Sequence, residues 1–112
     1  RVIIKKMNKG KGLGGKIMDD KTSFVFSCVL IKEDEGYSAL CLELDVASQG
    51  ETIEEAKKNI IEAMTLYLET AMESNLPIIR PIPYDDNPYV MQPEKVIETF
   101  KVNVDLEINA YV

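Results

Sequence analysis

The sequence predicts a two-layer α+β domain, in which one helix packs on a small, mostly antiparallel sheet in the order β-β-β-α-β. Three observations predict it. Two strand-like runs are joined by a short turn, a long amphipathic helical pattern follows them, and an alternating strand-like run stands near the end of the chain. The 112 residues suffice for one core, which we place in residues 21–112.

The first two strands form a predicted hairpin. Residues 23–32, SFVFSCVLIK, are rich in β-branched and aromatic residues and apolar on both faces, as in a central strand. Residues 33–36 form a turn, and residues 37–43 run back as the second strand. Residues 44–49 are interpreted as a bend and a short third strand, which Gly50 ends.

Two cysteines lie on this hairpin. A two-residue turn at positions 34 and 35 places Cys28 opposite Cys41, whereas a three-residue loop that includes Gly36 shifts the register. We expect two small buried thiols, with a disulfide formed on oxidation as the alternative.

The helix carries the clearest local signals. Thr52 and Glu55 have the spacing of a capping box, and Ile53, Ile60 and Met64 belong to an apolar stripe at three- and four-residue intervals. Asn75 and Pro77 end the pattern after about 22 residues. Such a helix covers one face of a sheet.

The remaining segments are less regular. Residues 76–93 contain all five prolines and are predicted to be an extended connection without a helix. Residues 99–111 alternate apolar and polar side chains, which predicts a half-exposed strand, either antiparallel within the sheet or at an open edge of this sheet or of a partner's. Residues 1–20 carry a net charge of +4 and many glycines, so we expect a flexible basic N-terminal arm. Its glycine spacing resembles phosphate-binding loops, but no helix follows to complete one.

Composition constrains the chemistry. The chain contains no histidine, which excludes Ser-His-Asp and Cys-His catalytic arrangements and His-ligated metal sites. Carboxylate chemistry with magnesium, as in a nuclease, stays open as an alternative, but the strand at residues 23–32 has no acidic residue and most carboxylates stand in turns or on the polar helix face. We therefore expect no enzyme and no cofactor.

Residues 21–112 carry a net charge of −10, which repels nucleic acid and attracts basic proteins. Two cysteines and the absence of a long apolar run predict a cytoplasmic protein without a membrane segment.

A family resemblance is carried by the run from Gly36-Tyr37 through Cys41, Glu43-Leu44 and Asp45 to Gln49-Gly50 and Thr52–Ala56. This pattern resembles the HicB family of antitoxins and their stand-alone relatives, and the match extends over residues 24–79. Leu42 stands where the family usually has proline. The resemblance implies a degenerate RNase H-like fold without catalytic activity.

The resemblance also implies partners. HicB-type proteins block a small basic ribonuclease, the HicA toxin, and usually self-associate, so we expect a HicA-type partner and a homodimer or higher oligomer. The alternative is an orphan that self-associates without a toxin. Direct DNA binding is not expected, because no helical pattern follows the last strand.

The candidate partner-binding residues are acidic or aromatic and lie in predicted turns: Glu33, Asp34, Glu35, Tyr37, Asp45, Asp85 and Asp86. For Tyr37, packing competes with partner contact. For Asp45, capping of the bend is favoured over partner contact. The three acidic residues of the hairpin turn are explained mostly by solvation of the turn, with partner contact as the alternative.

Overall fold

The computed structural model describes the backbone of residues 2–8 and 17–111 and the side chains of residues 22–106. Its strands are β1 (Val2–Asn8), β2 (Ile17–Lys32), β3 (Tyr37–Cys41), β4 (Val46–Gly50) and β5 (Val96–Tyr111). Its helices are α1 (Ile53–Glu73) and the short α2 (Pro88–Met91). Within the described chain the strands form one sheet of order β1-β5-β2-β3-β4, in which only β1 and β5 pair in parallel. The predicted two-layer α+β architecture is confirmed.

Helix α1 begins and ends where the sequence predicts. The Thr52 hydroxyl accepts the backbone N–H of Glu55 at 3.1 Å, so the capping interaction is formed. After the helix, Asn75 adopts a positive φ of 54°, which stops the helical path. The buried residues of α1 are Ala56, Ile60, Met64, Leu68, Ala71 and Met72. Together they cover one face of the sheet.

The core lies between α1 and the even-numbered residues of β2 from Phe24 to Leu30 and of β5 from Phe100 to Leu106. Phe26, Cys28 and Leu30 on β2 are almost completely buried, as are Val102 and Val104 on β5. Adjacent strands bring these residues into register, with Phe26 opposite Val102. Burial of each large apolar side chain contributes about 1.5–3 kcal/mol. Because successive side chains of a strand point to opposite faces of the sheet, every second residue faces the helix.

The β2–β3 hairpin has the register given by a two-residue turn. Cys28 pairs with Cys41, and Lys32 pairs with Tyr37. The second strand is shorter than predicted, because Leu42 and Glu43 belong to a turn that runs to Asp45. The Asp45 N–H donates to the Cys41 carbonyl at 3.0 Å, which closes that turn.

The segment predicted to be a flexible basic arm is paired with the sheet where its backbone is described. Val2–Asn8 is a strand beside β5, and β2 starts at Ile17. Pairing along the sheet supplies hydrogen bonds that overcome the weak local signal of this lysine- and glycine-rich stretch. Residues 9–16 lie outside the described residues.

Two further predictions need correction. The proline-rich connection is not free of helix: the Asn87 side chain accepts the Tyr89 N–H at 3.0 Å and Pro88 occupies the first turn, which together start α2. Strand β5 begins at Val96 and lies between β1 and β2, so it is not an open edge. Its alternation arises because α1 covers only one of its faces.

The connection also reaches the second face of the sheet. Val29 and Ile31 point away from α1, yet both are buried. The Tyr89 hydroxyl hydrogen-bonds the Thr99 hydroxyl, and Thr99 is the β5 partner of Val29.

Within the part of the chain that the structure describes, no helix is long and apolar enough to cross a membrane.

Candidate partner-binding surface

An open depression with a volume of about 1110 Å³ lies where the β2–β3 turn, β4 and the start of α1 meet. We name it the acidic cleft. It is lined by Glu33, Asp34, Glu35, Gly36, Tyr37, Ser48, Gln49, Gly50, Glu51, Glu55 and Asn59. Five of these side chains are carboxylates, and none is a lysine or arginine. The cleft therefore carries a concentrated negative charge, which suits a cationic ligand.

Two glycines allow the walls of the cleft to approach. Gly36 has a φ of 79°, which favours glycine, and a Cβ there would lie 2.6 Å from the Gly50 carbonyl oxygen. A Cβ on Gly50 would lie 2.5 Å from the backbone nitrogen of Ala56. The hairpin turn, β4 and the first turn of α1 are thus in backbone contact, and larger residues would separate them.

Local hydrogen bonds fix the cleft walls. The Ser38 hydroxyl donates to Glu33 Oε1 at 2.7 Å, and Asn59 Nδ2 donates to the Gln49 carbonyl at 2.8 Å. The Lys32 ammonium lies 4.5 Å from the centre of the Tyr37 ring. Tyr37 is half-buried and packs against the core while it also lines the cleft. Packing of Tyr37 is therefore observed, while its contact with a partner stays a prediction.

Asp45 lies at the opposite end of β3 from the acidic cleft. It is exposed and adopts a φ of 53°, a left-handed conformation that aspartate tolerates better than most residues. Arg80 holds this turn: its guanidinium donates to the Leu44 carbonyl at 3.4 Å and to the Asp45 carbonyl at 3.3 Å. The guanidinium also lies 5.0 Å from the centre of the Tyr67 ring.

Asp85 and Asp86 are also away from the cleft. They lie in a short 3₁₀ turn just after a segment that bonds to the β3–β4 turn, through the Ile82 N–H and the Leu42 carbonyl at 3.0 Å. The seven predicted residues therefore separate into two groups. The structure brings together the hairpin residues Glu33, Asp34, Glu35 and Tyr37, and it places Asp45 and the segment leading to Asp85 at the other end of β3.

Glu51, Glu55 and Asn59 line the cleft without having been predicted as site residues. For Glu55, the sequence pattern is explained by helix capping, which accounts for its backbone N–H but leaves its carboxylate exposed. The register of β4 against β3, with Gly50 opposite Tyr37, carries them to the hairpin turn. The sequence signal that points to these residues is the capped start of a helix directly after a short strand, because such a helix start lies close to the strand's neighbours in the sheet.

The paired cysteines belong to the core. Cys28 and Cys41 are free thiols and fully buried, and Cys28 Sγ lies 3.6 Å from the Met64 sulfur. A side-chain hydrogen bond with Cys41, together with burial, raises the pKa of Cys28 well above its ordinary value of 9.0. Cys28 therefore stays a neutral thiol at physiological pH.

Carboxylates elsewhere act locally. Glu43 Oε1 accepts the Ser27 N–H at 2.7 Å, and Glu98 pairs with Lys57 of α1 at 2.9 Å. Among the residues with described side chains, no three cysteine, aspartate or glutamate side chains are grouped so that they could hold a metal ion.

Comparison with known proteins gives two findings, and no protein-family model matches the sequence. A UPF0150 protein of Synechocystis sp. is 42% identical to this chain over 60 residues, which are 52% of this chain and 76% of that protein. A chain in the solved HicA3 and HicB3 toxin-antitoxin complex is 24% identical, with a TM-score of 0.47; the match covers 76% of this chain and 98% of that chain.

Proposed function

Since the chain belongs to the UPF0150 family of HicB-like proteins, we propose that it is an antitoxin-like binding protein that neutralises a small, basic, HicA-type ribonuclease by covering it. In this role the chain performs no chemistry. It supplies a preformed surface that competes with RNA for the cationic face of the toxin.

The acidic cleft is the observation that carries this proposal. Asp34, Glu35 and Glu51 are exposed carboxylates on its rim, and the chain from residue 21 onward has a net charge of −10. Complementary charge speeds association with a basic protein and disfavours acidic partners. RNA is itself a polyanion, so a surface that replaces it on a toxin must also be negative.

The test begins with a pull-down from the source lysate and continues with the purified partner. We expect a small basic protein with ribonuclease activity that falls in proportion to the amount of this chain added. The triple variant Asp34→Asn, Glu35→Gln, Glu51→Gln should bind more weakly, with a smaller dependence on salt. Retention of no basic protein, or a captured ribonuclease that stays fully active with excess chain, would contradict the proposal.

A matched control is available on the same helix. Glu62, Glu69 and Glu73 are exposed carboxylates on α1 beyond the cleft. Their replacement by glutamine removes the same charge from the chain but leaves the cleft intact. Equal loss of binding in both triple variants would mean that net charge, and not the cleft, attracts the partner.

Self-association without a toxin is the second candidate, and the surface of the connection favours it. Tyr84 is 77% exposed and Met91 is 65% exposed, with Tyr89, Val90 and Ile97 also exposed nearby in sequence. Apolar side chains gathered in one segment are typical of protein interfaces. Sedimentation of the purified chain at several concentrations tests it: a concentration-dependent dimer that Met91→Glu disrupts would support an oligomer, and a monomer throughout would oppose it.

A further inference from the structure

Strand β4 ends the sheet on the side of the acidic cleft. In the described sheet order its neighbour is β3 on one side, and no described strand lies on the other. The register with β3 pairs Cys41 with Val46, Ala39 with Ser48 and Tyr37 with Gly50. The direction of the backbone groups along this edge follows from that register.

The hydrogen bonds show which residues of β4 point outward. The Leu42 N–H donates to the Ser27 carbonyl of β2, so the even-numbered residues at this end of β3 face β2 and the odd-numbered ones face β4. The partners of these odd-numbered residues are the even-numbered residues of β4. Ala47 and Gln49 therefore direct their N–H and carbonyl groups away from the sheet. The Gln49 carbonyl confirms this direction, because it accepts Asn59 Nδ2 at 2.8 Å.

The outer edge of β4 lacks the usual protection against pairing. Protected edge strands carry proline, lysine or a bulge, whereas β4 has the sequence VASQG and a regular register. Ala47 and Gln49 are both exposed. The Ala47 N–H and carbonyl and the Gln49 N–H have no partner among the hydrogen bonds of the described residues. An extended peptide backbone is the ligand that such groups accept.

The surroundings of this edge determine the charge of its ligand. Gln49 and Glu51 line the acidic cleft, together with Glu55 at the start of α1 and Glu35 on the hairpin turn. A segment laid along β4 would have these carboxylates near one end. Its side chains alternate in direction, so lysine or arginine at alternate positions near that end would meet them.

We propose that β4 binds an extended segment of a protein partner, with lysine or arginine at alternate positions, as an added strand paired with the Ala47 N–H and carbonyl and the Gln49 N–H. This inference rests on the proposed function, because it assigns the site at which the basic partner attaches. Backbone pairing supplies the attachment, and the cleft carboxylates select a cationic segment. Five residues of β4 span about 17 Å, so a partner segment of about five residues suffices.

The experiment uses the full chain and a synthetic peptide, Lys-Val-Lys-Val-Lys-Val, with both ends blocked. A second peptide of the same sequence carries N-methyl groups on alternate residues, which keeps its charge but removes backbone donors. We expect the first peptide to bind at least tenfold more tightly than the second. It should also slow amide hydrogen exchange at Ala47 and Gln49 of the wild-type protein. This measurement does not depend on the folding of any variant.

A pair of variants adds a second test. Ala47→Pro removes an outward N–H that pairs with nothing in the sheet, and prolines are tolerated at such edge positions. Ala47→Ser keeps the N–H and is the matched control. Ala47→Pro should weaken binding at least tenfold, whereas Ala47→Ser should not, and circular dichroism checks that both are folded.

The outcomes separate this inference from the proposed function. Equal binding of the two peptides, or exchange protection away from β4, would overturn strand addition. If the cleft variant Asp34→Asn, Glu35→Gln, Glu51→Gln still weakened both peptides, the acidic cleft would remain a charge-driven site and the proposed function would stand. Failure of the peptide to bind at all would overturn the inference, while capture of a basic ribonuclease would decide the proposed function independently.

Discussion

Gly50 is expected to tolerate no side chain without a loss of stability. An alanine Cβ at this position would lie 2.5 Å from the Ala56 nitrogen, 2.8 Å from the Glu55 carbonyl carbon and 2.9 Å from the Glu55 Cβ. Two of these atoms belong to the helix backbone and cannot rotate away. To restore ordinary contact the first turn of α1 must move by about 1 Å relative to β4, which loosens the packing of Ala56 and Ile60.

Overpacking of this kind costs about 1–3 kcal/mol, and we expect Gly50→Ala to fall at the upper end because the clash is with backbone. For a domain of this size the melting temperature should fall by roughly 4 °C per kcal/mol. Urea unfolding of the wild type and the variant measures the change directly. The neighbouring substitution Gln49→Ala removes an exposed side chain but keeps the carbonyl that Asn59 binds, so it should change stability by less than about 0.5 kcal/mol. A Gly50→Ala protein as stable as Gln49→Ala would refute the close approach of β4 and α1.

Three further substitutions test local features of the fold by urea unfolding. Thr52→Ala removes the hydroxyl that accepts the Glu55 N–H and should cost about 1 kcal/mol, whereas Thr52→Ser should retain most of the stability. Arg80→Ala removes the guanidinium donors to the β3–β4 turn. The free energy of unfolding should fall by only about 1 kcal/mol, because the side chain is exposed and water can replace these donors. An unchanged stability would show that the turn does not depend on Arg80. Cys28 has a pKa raised above 9.0 in the folded state, so its stabilising contribution is complete below pH 9 and is lost as the pH rises further. The wild type should therefore lose stability above pH 9 more steeply than Cys28→Ala, by up to about 1.4 kcal/mol per pH unit, and parallel pH profiles would contradict this.

Much of the fold could be predicted from local patterns. The helix bounds follow from the Thr52 cap and the apolar spacing, because both depend on contacts within about four residues. The pairing of Cys28 with Cys41 is one of two registers that the sequence allows, and the structure shows which one forms. The position of β5 could not be predicted in this way. A half-exposed strand has the same alternating sequence whether it lies at the edge of a sheet or between two strands. In this fold β1, whose own sequence pattern is weak, pairs with β5 on the side away from β2.

The candidate site, like the fold, could be predicted only in part from the sequence. Four of the seven predicted residues line the acidic cleft, because they share one hairpin turn. Asp85 and Asp86 have the same charge but follow a segment that bonds to the opposite end of β3, at Leu42 and Glu43. The charge of each residue is known from the sequence, but which acidic residues lie close together depends on which strands pair.

Composition and local patterns specify the α+β class, the single long helix with its cap and the acidic character of residues 21–112, since each depends on neighbouring residues or on composition. Only the tertiary structure decided that Gly36 and Gly50 meet, that Glu51 and Glu55 join the hairpin carboxylates, and that the Ala47 and Gln49 backbone groups face outward. These features arise from strand pairing and helix packing, which bring together residues that belong to different elements. No local pattern in the chain specifies such contacts.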